Sequence, residues 1–435
     1  MFFERPKSGE LAILVHIDMH SEAESDPREF EELAISAGTC PIELITGSRR
    51  QVSPRFFIGS GKLEEIQQAV LLHQADVVLF NHSLSSSQER NLEAELQCRV
   101  LDRTDLILDI FAQRAQSYEG KLQVELAQLK HSTTRLVKGW SHLDRQKGGI
   151  GLRGAGETQL EIDQRLIAVR IKSINQSLKK VRTQRQQGRK ARKKAEVPTI
   201  SLVGYTNAGK SSLFNALTHA NIYASDQLFA TLDSTLRKIQ LPDFGDAILA
   251  DTVGFIRDLP HQLVDAFRAT LEETTEASLL LHVIDCHSEQ RFILQKEVNK
   301  VLKEIGAEKI PTLMVYNKAD LLDADSSEKS PGELPEIERD DNGLPCRVWV
   351  SALTGAGIEN LLQAISELLG EDFIEPELQL NHLQGRLRAK LYRQGAVKNE
   401  SLDEQGVSHL SLRLPKQDFI RLLKEEGLDA QVYLP

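Results

Sequence analysis

One segment limits the fold of this chain more than any other feature. Residues 199–203, TISLV, are typical of a buried strand, GYTNAGKS follows at 204–211, and SLFNALTH at 212–219 has a helical pattern. This is the GxxxxGK[ST] phosphate loop in its required strand–loop–helix setting. Two glycines, Gly204 and Gly209, permit a wrapped backbone whose amides face phosphates, and the helix dipole adds to their attraction. The segment predicts an α/β fold around a P-loop nucleotide site.

Two residues of the loop carry predicted phosphate and metal contacts. Lys210 is expected to reach the β- and γ-phosphates, and Ser211 to bind magnesium through its hydroxyl. The strand AILA at 247–250 ends in DTVG at 251–254. This motif supplies an aspartate for the magnesium site and a glycine whose amide can sense the γ-phosphate.

The segment between these two motifs, FATLDSTLR at 229–237, predicts a mobile switch. Its Thr231 is the candidate for a second magnesium hydroxyl, and Thr235 is the alternative. The position of Thr231 between the phosphate loop and DTVG is what gives this threonine weight. The predicted catalytic residues are therefore Lys210, Thr231 and Gly254, and the predicted metal ligands are Ser211 and Thr231.

Two later strand ends predict guanine specificity. The apolar run at 310–316 precedes NKAD at 317–320, and RVWV at 347–350 precedes SAL at 351–353. A carboxylate at Asp320 can accept hydrogen bonds from guanine N1–H and the 2-amino group, a donor pair that adenine lacks. Four motifs in this order predict a G domain with a mixed, mostly parallel sheet. The predicted GTP-binding residues are Gly204, Tyr205, Thr206, Asn207, Ala208, Gly209, Lys210, Ser211, Phe229, Ala230, Thr231, Leu232, Asp233, Asp251, Thr252, Val253, Gly254, Asn317, Lys318, Ala319, Asp320, Ser351, Ala352 and Leu353.

The residue after DTVG departs from many GTPases, in which a glutamine positions the attacking water. Here it is Phe255, which cannot orient water by hydrogen bonding. Intrinsic turnover is therefore expected to be slow and to need a partner. Phe255 can equally serve as a hydrophobic anchor for the switch, and the two roles are compatible.

Two heptad seams of equal length flank a glycine-rich loop and predict an antiparallel helical hairpin. The first seam is Leu122, Leu126, Leu129, Thr133 and Leu136, and the second is Ile167, Ile171, Ile174, Leu178 and Val181. The second helix is expected over about 158–194, roughly 55 Å at 1.5 Å per residue.

The second helix reverses the charge balance of the chain. The net charge of −10 and the pI near 5.7 argue against a generally basic nucleic-acid binder. Between 164 and 194, however, there are twelve basic residues and no acidic one: Arg165, Arg170, Lys172, Lys179, Lys180, Arg182, Arg185, Arg189, Lys190, Arg192, Lys193 and Lys194. Subtracting these twelve leaves −22 for the rest of the chain. Such a run is either a solvated helix face or a polyanion-binding surface, and its single sign favours the second.

The loop between the seams, at 138–157, contains five glycines after Gly139 and the basic residues Arg145, Lys147 and Arg153. It is either a flexible connector or a binding tip, and its length favours binding, because two residues suffice to join antiparallel helices. The rRNA-binding candidates are Arg145, Lys147, Arg153, Lys179, Lys180, Arg182 and Arg185.

The remaining regions complete a four-part organisation. Short apolar runs alternate with helical stretches from residue 11 to about 103, which predicts a parallel α/β unit. The predicted parts are an α/β subdomain at 1–103, the hairpin at 104–196, the G domain at 197–372 and a small α+β domain at 373–435.

With these motifs, the chain resembles the HflX family of the Obg–HflX group of translational GTPases. GYTNAGKS, FATLD, DTVGF and NKAD match its nucleotide motifs, and the stretches at 102–115 and 148–161 resemble its N-terminal domain. The resemblance implies GTP hydrolysis with Mg²⁺ and binding to the large ribosomal subunit, its rRNA and its proteins. It also implies splitting of 70S ribosomes under stress, with the hairpin loop reaching toward the peptidyl-transferase region.

The resemblance further raises ATP binding and ATP-dependent RNA remodelling by the N-terminal domain. GSGK at 59–62 is a candidate phosphate loop, but Phe56 occupies the position that needs glycine, so a helix-entry turn is favoured. The ATP activity stays open.

Two other functions remain alternatives. A GTP-dependent scaffold would use the hairpin as a coiled-coil arm for a protein partner such as a protease, and a metabolic phosphotransferase is disfavoured because no second substrate site is visible. We expect a cytoplasmic protein with no membrane insertion, since no signal peptide or apolar run of eighteen residues is present. We also expect a monomer with no DNA partner. Peripheral membrane association stays open.

Overall fold

The computed structural model describes most of the chain. The described residues are 9–19, 27–139, 155–194, 197–218, 228–229, 231–233, 235–242, 244–257, 273–322, 337–370, 373–374, 376–380, 384–393, 395–403, 407–412, 414–415, 419 and 422–423. In helices, side chains at 136–139, 155–160 and 188–194 fall outside this description. Within the described ranges, every helix is too short or too polar to cross a bilayer.

The first part of the chain forms a four-stranded parallel sheet in the order β2-β1-β3-β4. Its residues alternate between strand and helix as the sequence predicts, because buried apolar strands need helical crossovers to run parallel. The elements are β1 (Leu11–Met19), α1 (Pro27–Ser36), β2 (Cys40–Arg49), α2 (Ser60–His73), β3 (Val77–Phe80), α3 (Ser86–Leu96), β4 (Arg99–Asp102) and α4 (Arg103–Arg114). The GSGK segment is a helix entry, with Gly59 as the N-cap of α2.

The hairpin consists of α5 (Tyr118–Gly139) and α6 (Ala155–Lys194). Leucines of α5 and aliphatic residues of α6 pack together as the matched heptads predict, and the cluster contains Leu122, Leu126, Leu129, Ile167, Ile171, Ile174 and Leu178. The 40 residues of α6 span about 60 Å at 1.5 Å per residue.

A buried ionic cluster attaches α5 to the first sheet. Arg135 lies 3.0 Å from a carboxylate oxygen of Asp102 and 2.8 Å from one of Asp105, and it also pairs with Glu89 at 2.5 Å. A buried guanidinium needs such partners, because an unpaired charge in the interior is costly.

The second sheet is seven-stranded, mostly parallel, and ordered β10-β11-β9-β8-β5-β7-β6. Its first three strands along the chain are β5 (Thr199–Gly204), β6 (Thr235–Leu241) and β7 (Gly245–Asp251), with α7 (Lys210–Thr218) after β5. They are followed by β8 (Leu279–Asp285), α8 (Arg291–Glu304), β9 (Thr312–Asn317), β10 (Glu338–Arg339), β11 (Pro345–Trp349) and α9 (Ile358–Gly370). The two edge pairs, β6 with β7 and β10 with β11, are antiparallel.

The last part of the chain has two small antiparallel sheets. They comprise β12 (Phe373–Ile374), β13 (Glu377–Leu380), α10 (Gly385–Arg393), β14 (Val397–Leu402), β15 (Ser408–Leu412) and β16 (Leu414–Pro415). β13, β15 and β14 form one sheet, and β12 pairs with β16. The architecture is the α/β fold that the sequence predicts.

One hydrophobic core joins the first sheet to the second. It contains Leu106 and Phe111 from α4 together with Phe229 and Phe255 from the loops of the second sheet. The loops around the phosphate-loop segment therefore pack against the N-terminal part of the protein.

Candidate functional site

The phosphate loop connects β5 to α7 at the carboxyl edge of the second sheet. Gly204 has φ +149°, and a Cβ there would lie 2.3 Å from the carbonyl oxygen of Val283. Gly209 has φ +88°, and a Cβ there would lie 2.1 Å from Nδ2 of Asn317. An added side chain would collide with the Val283 backbone at position 204 and with the Asn317 side-chain amide at position 209. The shape of the loop therefore requires both glycines.

Lys210 is buried under the loop that it terminates. Its Nζ donates a hydrogen bond to the carbonyl oxygen of Tyr205 at 2.6 Å. Burial lowers the pKa of Lys210 to about 8, although the nearby Asp251 carboxylate favours the ammonium. A Cβ at Gly254 would lie 3.0 Å from this Nζ, so the glycine leaves room beside the ammonium.

Three oxygen-bearing side chains converge beside Lys210. The Ser211 hydroxyl lies 2.7 Å from the Thr231 hydroxyl and donates to Oδ2 of Asp251 at 2.9 Å. Oδ1 of Asp251 is buried and has no hydrogen-bond partner among the described residues. Burial raises the pKa of Asp251, against the opposing effects of Lys210 and the two hydroxyls. Hard oxygen donors and an unsatisfied carboxylate oxygen are the groups that fit Mg²⁺.

The opposite end of the site is built from β9 and the turn after β11. Asn317 donates to the carbonyl oxygen of Ala208 at 2.9 Å and accepts from the amide of Ala352 at 3.0 Å, so it joins three loops. The Ser351 hydroxyl donates to Oδ1 of Asp320 at 2.5 Å, which orients that carboxylate. Lys318 pairs with Asp285 at 2.8 Å.

Phe255 connects the DTVG segment to the phosphate loop. Its amide donates to the carbonyl oxygen of Gly204 at 3.1 Å, and its carbonyl accepts from the amide of Thr206 at 2.8 Å. The ring is buried in the core that joins the two sheets. Phe255 therefore has the contacts expected of a hydrophobic anchor for the segment that follows DTVG.

These elements enclose a cavity of about 320 Å³, here called the phosphate-loop cavity. Fourteen predicted GTP-binding residues line it: Thr206, Asn207, Gly209, Lys210, Ser211, Phe229, Thr231, Thr252, Gly254, Asn317, Lys318, Asp320, Ala352 and Leu353. The predicted catalytic residues Lys210, Thr231 and Gly254 are all among them. The alternative, Thr235, instead begins β6, where it pairs with Asp251.

Nine other predicted GTP-binding residues do not line the cavity: Gly204, Tyr205, Ala208, Leu232, Asp233, Asp251, Val253, Ala319 and Ser351. Asp251 and Ser351 form hydrogen bonds with the cavity-lining residues Ser211 and Asp320, and the Gly204 carbonyl accepts from the amide of Phe255, next to Gly254. Ala230 lies outside the described residues.

Two of these nine point toward the N-terminal part of the protein instead. The Tyr205 hydroxyl donates to Glu29 of α1 and accepts from the amide of Arg257 at 2.9 Å. Asp233 accepts hydrogen bonds at the start of α5. Sequence motifs could not reveal this, because Glu29 and the residues at the start of α5 lie more than 100 positions from Tyr205 and Asp233.

Three residues at the site were missed by the sequence patterns. Ser212 and Leu321 line the cavity next to predicted motifs. His282 of β8 is fully buried, and burial together with the Lys210 ammonium lowers its pKa to about 4. It is therefore neutral at pH 7. Adjacency to a motif could have indicated the first two, whereas nothing local indicates His282.

Acidic side chains of α5 pair with two of the basic side chains of α6. Arg170 forms two hydrogen bonds with Glu125 of α5, at 2.6 and 2.8 Å, and Arg185 pairs with Glu119 of α5 at 2.9 Å. Both acidic partners come from the other helix of the hairpin, which the count within 164–194 omitted. Lys172, Lys179, Lys180 and Arg182 remain exposed. The tip candidates Arg145, Lys147 and Arg153 lie outside the described residues.

A phosphate loop, a paired hydroxyl–carboxylate group and the NKAD and SAL turns at one sheet edge define a P-loop GTPase. The chain matches four family profiles in succession. They are "GTP-binding GTPase N-terminal" over 24–112, "GTP-binding GTPase Middle Region" over 114–192, "50S ribosome-binding GTPase" over 199–318 and "HflX C-terminal domain" over 338–431.

Known proteins of the same kind match nearly the whole chain. It is 55% identical over 425 residues to the GTPase HflX of Escherichia coli (strain K12), with 98% of both chains covered. It is 45% identical over 405 residues to the GTPase HflX of Caldanaerobacter subterraneus subsp. tengcongensis, with 93% and 91% covered. The chain belongs to the GTPase HflX family, binds GTP and hydrolyses it.

A solved structure is also similar. The crystal structure of a GTP-binding protein from the hyperthermophilic archaeon Sulfolobus solfataricus in complex with GDP is 24% identical, with 83% of this chain and 99% of that chain covered and a TM-score of 0.43.

Proposed function

We propose that GTP binds in the phosphate-loop cavity with its phosphates over Lys210 and its base against Asp320. The loop amides and the first turn of α7 face the phosphates, and the buried ammonium opposes their negative charge. The Asp320 carboxylate, oriented by Ser351, accepts from guanine N1–H and the 2-amino group. The single observation that supports this assignment is the convergence of these groups on one cavity.

Magnesium fits the same cavity. Ser211 and Thr231 would hold the ion through their hydroxyls, and Asp251 would orient its water ligands through the unsatisfied Oδ1. The bound ion supplies neutralisation of the charge that develops on the phosphate oxygens. Gly254 lines the cavity beside Lys210, and its amide would contact the terminal phosphate.

Hydrolysis is expected to be slow without a partner. Phe255 offers no hydrogen-bonding group to orient water, and its ring is buried in the core rather than in the cavity. A binding partner that rearranges the segment at 228–233 would complete the site.

The protonation of Lys210 predicts that nucleotide binding is linked to pH. Because burial lowers the pKa of Lys210 to about 8, a substantial share of these side chains is neutral at pH 8.5. Phosphate charge favours the ammonium, whereas the neighbouring His282 stays neutral. GDP binding at pH 8.5 is therefore expected to take up a proton, and affinity to fall as the pH rises above 8. Calorimetry in buffers of different ionisation enthalpy measures this uptake. Equal uptake at pH 7.0 and 8.5 would contradict the role of Lys210.

The hairpin supports a ribosomal partner for this GTPase. Lys172, Lys179, Lys180 and Arg182 are exposed on α6, in a chain whose remainder is acidic. Such a group of basic side chains attracts a polyanion, and the acidic remainder keeps the rest of the surface away from it. We infer that the hairpin contacts rRNA of the large subunit, that GTP sets the affinity, and that the bound protein splits stalled 70S ribosomes under stress.

Charge reversal on the hairpin tests this partner. The triple variant Lys179→Glu, Lys180→Glu, Arg182→Glu leaves the Arg185–Glu119 pair intact. We expect its affinity for large subunits, measured by co-sedimentation with a non-hydrolysable GTP analogue, to fall at least about tenfold. The slope of log K against log salt should become shallower by roughly 2 to 3, since each lost phosphate contact contributes 0.7–0.9.

A matched control lies on α8, where Lys296, Lys300 and Lys303 are also exposed. Reversing these three charges changes the net charge equally and should leave ribosome affinity within about threefold. An unchanged salt slope in the α6 variant would instead favour a protein partner for the hairpin.

A further inference from the structure

The segment that carries Thr231 is held by the N-terminal part of the protein. Residues 228–229 and 231–233 flank and include this threonine. The Phe229 ring meets the Phe111 ring of α4 edge to face, with centroids 4.6 Å apart, and the amide of Leu228 donates to the Ser36 hydroxyl of α1 at 3.0 Å. Phe229 has φ +56°, an unfavourable conformation for a bulky residue, so the surrounding packing must hold it there.

The other flank of Thr231 is bound to the start of α5. The Asp233 carboxylate accepts from the amides of Gln116 at 3.0 Å and Ser117 at 2.7 Å, and from the Ser117 hydroxyl at 2.5 Å. A carboxylate in this position is favoured by the helix dipole as well as by the three hydrogen bonds. Ser117 itself caps the helix by accepting from the amide of Gly120 at 2.8 Å. The hydrogen bonds to Asp233 are therefore additional to the capping hydrogen bond that Ser117 already provides to α5.

A glycine in α5 makes room for this contact. A Cβ at Gly120 would lie 2.2 Å from Oδ1 of Asp233. Glycine is disfavoured in a helix relative to alanine, so a helical glycine needs a local reason. The close approach of the Asp233 carboxylate is such a reason.

We propose that Asp233 is a positioning residue that holds Thr231 at the magnesium position by docking on the start of the hairpin, with Gly120 as the gap that admits it. The inference rests on the proposed roles of Thr231 and Ser211. In many GTPases the corresponding segment is ordered only by the γ-phosphate and its metal. Here the protein itself supplies contacts on both sides of Thr231, whose hydroxyl lies 2.7 Å from the Ser211 hydroxyl.

The contact also joins the nucleotide to the hairpin. Asp233 lies two residues from Thr231, and its partners Gln116 and Ser117 lie immediately before the helix that leads to the hairpin tip. Coupling between two sites is reciprocal in free energy. A ribosome that shifts α5 therefore moves Thr231, and a nucleotide that holds Thr231 stabilises the docked hairpin.

Two variants test the dock, Gly120→Ala and Asp233→Asn. If the segment is held in position only a tenth of the time, the apparent Mg²⁺ affinity falls tenfold. We expect each variant to raise about tenfold the Mg²⁺ concentration that half-maximally slows GDP release. Hydrogen exchange at the amides of 116 and 117 should accelerate at least tenfold, a readout independent of activity.

The matched control is Gly61→Ala, since Gly61 lies in the first turn of α2 with nothing within 4 Å of an added Cβ. It should leave Mg²⁺ dependence and exchange at 116–117 unchanged. The inference is overturned if Gly120→Ala and Asp233→Asn behave like this control. A lowered melting temperature in either variant with unchanged Mg²⁺ dependence also overturns it, because Asp233 would then only stabilise the start of α5.

Thr231→Val separates this inference from the proposed function. If Thr231→Val raises the Mg²⁺ requirement and the two dock variants do not, only the positioning role of Asp233 fails. If Thr231→Val leaves the requirement unchanged, the assignment of Thr231 as a metal ligand fails.

Discussion

Replacing Lys210 with alanine is expected to lower the single-turnover rate of GTP hydrolysis by a factor of about 10²–10³. The ammonium is buried, it lies 2.6 Å from the Tyr205 carbonyl, and Gly254 leaves space beside it. A preorganised charge in a site with little water stabilises developing phosphate charge far more than an exposed one does. Weaker binding of GTP should accompany the loss of rate.

The control for this variant is Lys238→Ala in the same sheet. Lys238 is exposed on β6 and pairs with Asp246 across the hairpin of β6 and β7. Its replacement should change the hydrolysis rate by less than a factor of about two, because a surface ion pair contributes little. Hydrolysis by the Lys210 variant within threefold of the unmodified protein would refute the phosphate-loop role.

Replacing Asp320 with asparagine is expected to exchange guanine for xanthine as the preferred base. In the proposed binding mode the carboxylate accepts two hydrogen bonds from guanine, and each bond to a charged group is worth about 1.5–3 kcal/mol. GTP affinity should therefore fall roughly 10²–10⁴-fold. The amide instead offers a donor to the 2-oxo group of xanthine, so affinity for xanthosine triphosphate should rise.

Competition binding with the two triphosphates measures this exchange directly. Asp246→Asn, which removes an exposed carboxylate from the other edge of the same sheet, should keep the preference for GTP. Unchanged GTP affinity in the Asp320 variant would mean that NKAD does not read the base. Retained folding can be checked by the melting temperature, because Asp320 is exposed.

Much of the site was predictable because its motifs encode local backbone shape. The glycines at 204 and 209 occupy conformations that a Cβ would prevent, and a pattern of glycines states that requirement directly. Each motif also follows a strand of the same parallel sheet, so the motifs must meet at its carboxyl edge. The heptad positions of the hairpin correctly predicted which faces of α5 and α6 pack together, because helical periodicity places those apolar residues on one face of each helix.

The charge of α6 could not be interpreted without the acidic side chains of α5 that lie against it. Within 164–194 no acidic residue opposes the basic ones, yet Glu119 and Glu125 of α5 pair with Arg185 and Arg170. The heptads predicted an antiparallel hairpin but not which charged side chains lie opposite each other. That depends on the register of the two helices, which their contacts determine.

The sequence alone determined the class of fold and which motifs meet at the carboxyl edge of the second sheet, because strand periodicity and loop glycines act over a few residues. Only the tertiary structure decided what surrounds the cavity. Tyr205 belongs to the phosphate loop but bonds to Glu29, and Asp233 belongs to the switch but bonds to Ser117. These contacts join residues more than 100 positions apart, and they depend on how one part of the chain packs on another. The sequence around an aspartate or a tyrosine is the same whether the side chain faces a nucleotide or a neighbouring helix.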